Sequence, residues 1–218
     1  MFVITADQVD SRRFHDRVPA ALTLLARSPA ATGGASRTFE RTAGDEIQGV
    51  CEGAEEVLDI VTTLIRHGQW RIGIGIGPVD LPLPESPREG RGPAFVAARD
   101  AVQAAHPVPG QLAVRSRFGP ATARGVREVS GRHTRYAESA LLLYARLLRS
   151  RTPEGWQVVD HLARGLTQKD TAAKLGVTPS AVSQRVRRAG WQEQVRGREL
   201  IAHHLSVADG RTDGRNQP

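Results

Sequence analysis

The sequence predicts an α+β fold in which a ferredoxin-like, split βαβ domain precedes an all-α domain. Three observations predict it. Short β-branched segments and amphipathic helical segments follow one another in the order β-α-β-β-α-β, then one more helix and strand, up to about residue 118. Beyond residue 135 strand signals stop and helical periodicity takes over. Charge divides near the same place: 16 Arg face 15 Asp and Glu through His133, whereas 14 basic residues face 8 acidic ones after it, within a net charge of +7. The expected domains are residues 1–130 and 131–208, with a polar tail at 209–218 expected to be disordered.

Each element has a local cause. Phe2-Val-Ile-Thr-Ala is a β-branched run and predicts a buried strand ending at Asp7. Phe14, Val18, Leu22 and Leu25 recur at helical spacing, which predicts a helix over Arg12–Arg27. Ala30 to Ser36 predicts a loop. Thr38–Thr42 and Ile47–Cys51 flank Ala43-Gly-Asp-Glu46, a hairpin pattern. Val57, Ile60, Val61 and Leu64 predict a helix over Glu55–Arg66. Trp70-Arg-Ile-Gly-Ile-Gly-Ile-Gly77 alternates with period two, a strand with one apolar and one nearly bare face that something can approach closely. Pro78–Gly92 predicts a loop, Pro93–Ala105 a helix, and Leu112–Phe118 a last strand. This order implies an antiparallel-type sheet with helices on one face. Gly119–Arg132 predicts a loose segment before an apolar helix, Tyr136–Leu148, and Pro153–Ala163 another helix.

Composition narrows the function classes. A single cysteine, Cys51, excludes an internal disulfide and fits a reducing compartment. His67, His106, His161, His203 and His204 show no metal-ligand spacing. No signal peptide and no membrane-length apolar run is recognisable, so a cytoplasmic protein without a membrane partner is expected.

Leu166 to Gly190 predicts two short helices joined by a tight turn. Thr167 caps the first, which carries Ala172, Ala173 and Leu175 on its apolar side; Gly176 makes the turn and Val177 plugs the corner. Thr178 and Pro179 form an N-cap followed by a first-turn proline. Ala181, Val182 and Val186 point inward, leaving Ser180, Ser183, Gln184, Arg187 and Arg188 outward, groups able to meet base edges or phosphates. Lys169, Lys174 and Arg185, with Thr178, are further candidates for contact with double-stranded DNA. The plainer alternative is a helical hairpin with a solvated basic face. The segment resembles the helix-turn-helix of bacterial regulators, close in pattern to sigma-region-4 and LuxR-type modules. Trp191–Leu205 then closes the domain or pairs with a second copy, and a homodimer is expected for reading a palindromic site.

In the first domain, split βαβ topology brings Asp7 and Asp45 together at strand ends, where two carboxylates suit a hard cation such as Mg²⁺. Thr5-Ala-Asp-Gln-Val-Asp-Ser-Arg12, Ala43-Gly-Asp-Glu-Ile-Gln-Gly49 and Arg71-Ile-Gly-Ile-Gly-Ile-Gly77 resemble the SatD family of small bacterial proteins. More distantly they resemble the palm domain of class III nucleotide cyclases and GGDEF proteins. The resemblance spans about the first 105 residues. It implies Asp7 and Asp45 as ligands of Mg²⁺ or Mn²⁺ with a nucleotide, and Arg99 facing a triphosphate. Phe95 stands where the cyclases place an Asn, and one glycine alone precedes Asp45.

The expected function is a bacterial transcriptional regulator whose palm-like domain senses a nucleotide or phosphate-containing ligand. Two alternatives stay open: a metal-dependent nucleotidyl cyclase or phosphoryl-transfer enzyme with DNA-binding output, and a first domain serving as a pure dimerisation scaffold. In the latter, Asp7 caps the following helix and Asp45 merely occupies a turn.

Overall fold

The computed structural model describes residues 1–27, 37–120 and 122–210. The loop expected at 30–36 and most of the expected tail lie outside them. The chain is α+β, and the strands are β1 (Phe2–Gln8), β2 (Arg37–Arg41), β3 (Glu46–Cys51), β4 (Trp70–Ile76) and β5 (Leu112–Ser116). They form one sheet in the order β2-β3-β1-β4-β5. β1 runs antiparallel to both β3 and β4, pairing Asp7 with Glu46 on one side and Arg71 on the other. β5 lies parallel to β4, so the sheet is mixed rather than antiparallel throughout. This order is compatible with a split βαβ arrangement extended by one edge strand.

The helices are α1 (Val18–Ala26), α2 (Ala54–His67), α3 (Pro93–Ala104), α4 (Arg124–Arg149), α5 (Pro153–Ala163), α6 (Gln168–Leu175), α7 (Pro179–Ala189) and α8 (Trp191–Ala208). Strand alternation sends Phe2, Ile4, Ile47, Ile72, Ile74, Leu112 and Val114 to one face, where they share a core with Val57, Val61 and Leu64 of α2. The same core takes in Leu141, Tyr144 and Leu148 of α4 and Ile201 and Leu205 of α8. The other face carries Val3 and Val50 against Ala94 and Ala98 of α3. Helices therefore cover both faces, correcting the one-sided layout expected from the element order.

The bare face of β4 explains that correction. A Cβ on Gly73 would sit 2.2 Å from the Val102 amide nitrogen, and one on Gly75 2.2 Å from the Ala94 carbonyl oxygen. Both obstacles are backbone. The period-two glycines let α3 lie directly on the strand, and what approaches that face is the chain itself.

Two helix starts differ from expectation. α1 begins at Val18, with Pro19 in its first turn, because Asp10 takes φ 53° and residues 9–14 turn and bend before an irregular stretch to Arg17. Phe14 is left 58% exposed. The Gln8 side chain braces these turns, donating to the His15 carbonyl and accepting from the Arg17 amide. α4 begins at Arg124, so the loose segment expected to run to Arg132 is largely helical and the expected domain boundary at residue 130 falls inside α4. Glycines at 125 and 131 and the exposed Val126 and Val129 blur the periodicity there.

Gly75→Ala is expected to cost about 1–3 kcal/mol or more, since backbone has to move to admit the methyl group. Gly131→Ala, on α4 with open space at its Cβ, is expected to gain up to about 1 kcal/mol. Urea unfolding of the full chain checks both signs.

Candidate functional site

α5, α6 and α7 pack around Val158, Ala172, Val182 and Val186, with Leu162, Leu175, Val177 and Trp191 half-buried against them. The local reasons match the residue types. The Thr167 hydroxyl accepts from the Asp170 amide at 3.1 Å and donates to its carboxylate at 2.6 Å, capping α6. Gly176 ends α6 at φ 62°, the left-handed conformation that favours glycine. The Thr178 hydroxyl accepts from the Ala181 amide at 3.2 Å, and Pro179 opens α7. Ala173, expected on the apolar side of α6, is exposed, and Thr171 is buried there in its place.

The outer face of α7 is the feature of interest. Thr178, Ser180, Gln184, Arg187 and Arg188 are exposed, as are Lys169 and Lys174 on α6; Ser183 and Arg185 are half-buried on the flanks. Arg185 turns toward the start of α5, where its charge helps hold Glu154 ionised, behind the hydrogen bonds at that helix start. Among the described residues, none of Lys169, Lys174, Arg187 and Arg188 has a carboxylate within 4.0 Å. A cationic, hydroxyl- and amide-bearing helix face is thus left open to solvent.

Two charged groups that the sequence reading did not single out hold this unit in place. Arg151, only 7% exposed, donates from Nε and Nη2 to the Ala189 carbonyl at 3.0 and 2.7 Å. That oxygen belongs to the last turn of α7 and has no intrahelical partner. Arg151 and Arg66 both lie on the ring of Trp156, at 4.4 and 4.6 Å from its centroid. Arg66 of α2 also pairs bidentately with Asp160 of α5 at 2.6 and 2.7 Å. No local pattern marks Arg151, because its partner lies 38 residues away.

At one end of the sheet, the strand register sets Asp7 beside Glu46 and Arg71, and the Gln8 amide donates to the Asp45 carbonyl in the β2–β3 turn. Arg71 Nη1 lies 3.7 Å from Asp7 Oδ2. The Asp7 pKa is pushed up to about 6, chiefly by burial and then by the neighbouring Glu46 and Asp45; Arg71 and His106 act in the opposite direction. Arg99 is exposed on α3 and is not among the charges acting on Asp7. Asp7 caps no helix, since α1 starts eleven residues later behind an Arg17 cap. The carboxylate donor set suits a hard cation, yet Asp7, Asp45 and Glu46 do not bring three ligand atoms within 4.8 Å of one another. Among the described residues His133, His203 and His204 do, although their spacing in the sequence gave no such pattern.

No helix among the described residues is long and apolar enough to cross a membrane. No protein-family model, curated protein or solved structure matches the chain.

A carboxyl whose pKa is higher in the folded than in the unfolded state contributes stability that is fully present below about 3.8 and lost as pH rises through about 6. Asp7→Asn is therefore expected to stabilise the chain relative to wild type at pH 8 and to leave it unchanged near pH 3.5. Denaturant unfolding at the two pH values checks the difference.

Proposed function

We propose that the chain is a DNA-binding transcriptional regulator in which α6 and α7 form a helix-turn-helix and α7 enters the major groove. In this reading the sheet and its flanking helices make a ferredoxin-like, palm-type domain that carries the DNA reader. The observation that carries the reading is the outer face of α7: Ser180, Gln184, Arg187 and Arg188 are exposed on a capped helix, and Arg187 and Arg188 have no carboxylate within 4.0 Å among the described residues. Gln pairs bidentately with adenine, Arg with guanine or phosphate, and Ser with either kind of group. Lys169 and Lys174 on α6, and Thr178 at the turn, serve the phosphates. One such module buries little surface, so the reading includes a two-fold homodimer on a palindromic site.

Duplexes selected from a random pool by the full chain supply the DNA for the test. Arg187→Ala and Arg188→Ala are each expected to weaken binding about tenfold, and at least one to lower the slope of log K against log salt by about 1. Gln184→Ala is expected to relax base preference with little change in that slope. Binding unchanged by all three substitutions removes α7 as the reading element.

A second reading has the first domain sense a nucleotide or phosphate ligand through Mg²⁺ or Mn²⁺ at Asp7 and Asp45. It is favoured by the crowding of Asp7 by Glu46 and Asp45, a concentration of negative charge that a divalent cation neutralises. Calorimetry of the full chain with MnCl₂ and a nucleotide panel is expected to give binding that Asp45→Asn abolishes without loss of stability. A folded chain that binds neither leaves the domain as a scaffold.

A further inference from the structure

We propose that His133, His203 and His204 form a binding site for one late first-row divalent metal ion, with Zn²⁺ as the reference ion, that ties α4 to α8. The proposal does not depend on either reading of the function. His133 lies on α4; His203 and His204 are adjacent on α8. One ligand nitrogen from each ring lies within 4.8 Å of the other two. The Nδ1 atoms of His133 and His204 are 3.0 Å apart, and the three ring centroids are 5.0 to 6.1 Å from one another. Two nitrogens bound to one zinc ion at about 2.05 Å and a tetrahedral angle are separated by about 3.3 Å. The pair thus needs a shift of only a few tenths of an ångström to share an ion.

The helices hold this spacing without help from the imidazoles. Ala137, Leu141 and Ala145 of α4 and Ile201, Leu205 and Ala208 of α8 are buried in one core. The Ser130 hydroxyl donates to the Ala208 carbonyl at 2.6 Å, fixing the register of the two helices one turn from His133. Ligands are therefore preorganised on rigid elements, which lowers the ordering cost of capturing an ion. The Arg132 guanidinium, next in sequence to His133, points to Glu128 of its own helix.

Donor chemistry selects the ion class. Three imidazoles suit Zn²⁺, Cu²⁺, Ni²⁺ and Co²⁺ and not Mg²⁺ or Ca²⁺, which take oxygen ligands. Three protein ligands leave a coordination position for water or another donor. His203 is exposed while His133 and His204 are half-buried, so the ion has an open side from which to enter. Tyr136 flanks the site, its ring 5.3 Å from that of His204 and 6.0 Å from that of His133.

The test uses the full chain without an affinity tag, stripped by a chelator. Zn²⁺ is titrated against a chromophoric competitor, and Co²⁺ binding is followed by visible absorption. Expected are one equivalent per chain, a Co²⁺ spectrum of low coordination number, and a Tm raised by Zn²⁺ and restored by chelator. His133→Asn and His204→Asn each remove a ligand and are each expected to weaken binding at least about tenfold, the loss that removing even a residue supporting a ligand brings; His161→Asn is expected to leave it unchanged. Circular dichroism of the metal-free variants reports whether they fold. Imidazole resonances of the wild-type chain give a readout that needs no variant: Zn²⁺ is expected to shift three of the seven histidines. Absence of a stoichiometric site, shifts spread over the other histidines, or equal affinity in folded variants overturns the proposal and leaves a simple imidazole hydrogen bond.

Discussion

The stripe Ala137, Leu141, Tyr144, Ala145 and Leu148 runs along one side of α4 and enters the same core as Phe2, Ile4 and Ile74 of the sheet. Each large apolar side chain buried there contributes about 1.5–3 kcal/mol, so this seam outweighs any surface ion pair in the molecule. α8 returns to the same seam through Ile201, Leu205 and Ala208. Polar contacts sharpen the fit: the Tyr144 hydroxyl meets the Thr62 hydroxyl at 3.0 Å, and Arg198 of α8 reaches Glu55 and Asp59 of α2 at 2.6 and 2.8 Å. The three-helix unit α5–α7 hangs from the two ends of this seam. Its attachment is reinforced by Arg151 at the end of α7 and by the Arg66–Asp160 pair.

The seam exists because the other face of the sheet is already taken. α3 can lie on β4 only because Gly73 and Gly75 present no side chains. Its contact residues are small to match, with Ala94, Ala98 and Ala101 buried. The larger side chains Ile72, Ile74 and Ile76 then all face α2, α4 and α8. The period-two pattern of β4 thereby assigns each helix its side.

Much of this was legible in the residues. The caps at Thr167 and Thr178, the left-handed Gly176 and the inward Val182 and Val186 are local signals, and local chemistry places them. α2, α5 and β4 follow in the same way from periodicity. What escaped depends on partners far along the chain. The bare face of β4 announced a close approach without saying that α3 makes it. The stretch of α4 before Tyr136, from Arg124 onward, escaped prediction because Gly125 and Gly131 weaken helix propensity, while Ser130 is buried for a reason visible only in its bond to Ala208. Two adjacent histidines on a helix point about 100° apart, so His203 and His204 form no pattern until His133 arrives from α4. Asp7 and Asp45 do come to neighbouring positions at the sheet's end, but Arg71 and Glu46 crowd in beside them through the strand register.

The chain leaves the sheet along α4 and comes back along α8, and α7 passes into α8 through Gly190 alone. That residue, at φ 63°, ends one helix and begins the next, with Leu147 packed where its side chain would be. Topologically α5–α7 is an insertion between two helices of one core, not a module appended to the end of another. A cut or fusion near residue 130 divides α4 and parts the sheet side of the core from the α4 and α8 side chains that cover it. Exchange of the α5–α7 unit between proteins of this architecture has to carry both junctions, Arg151 and Gly190, as a single cassette. The recipient must supply a matching pair of helices, or the graft has nothing to stand on.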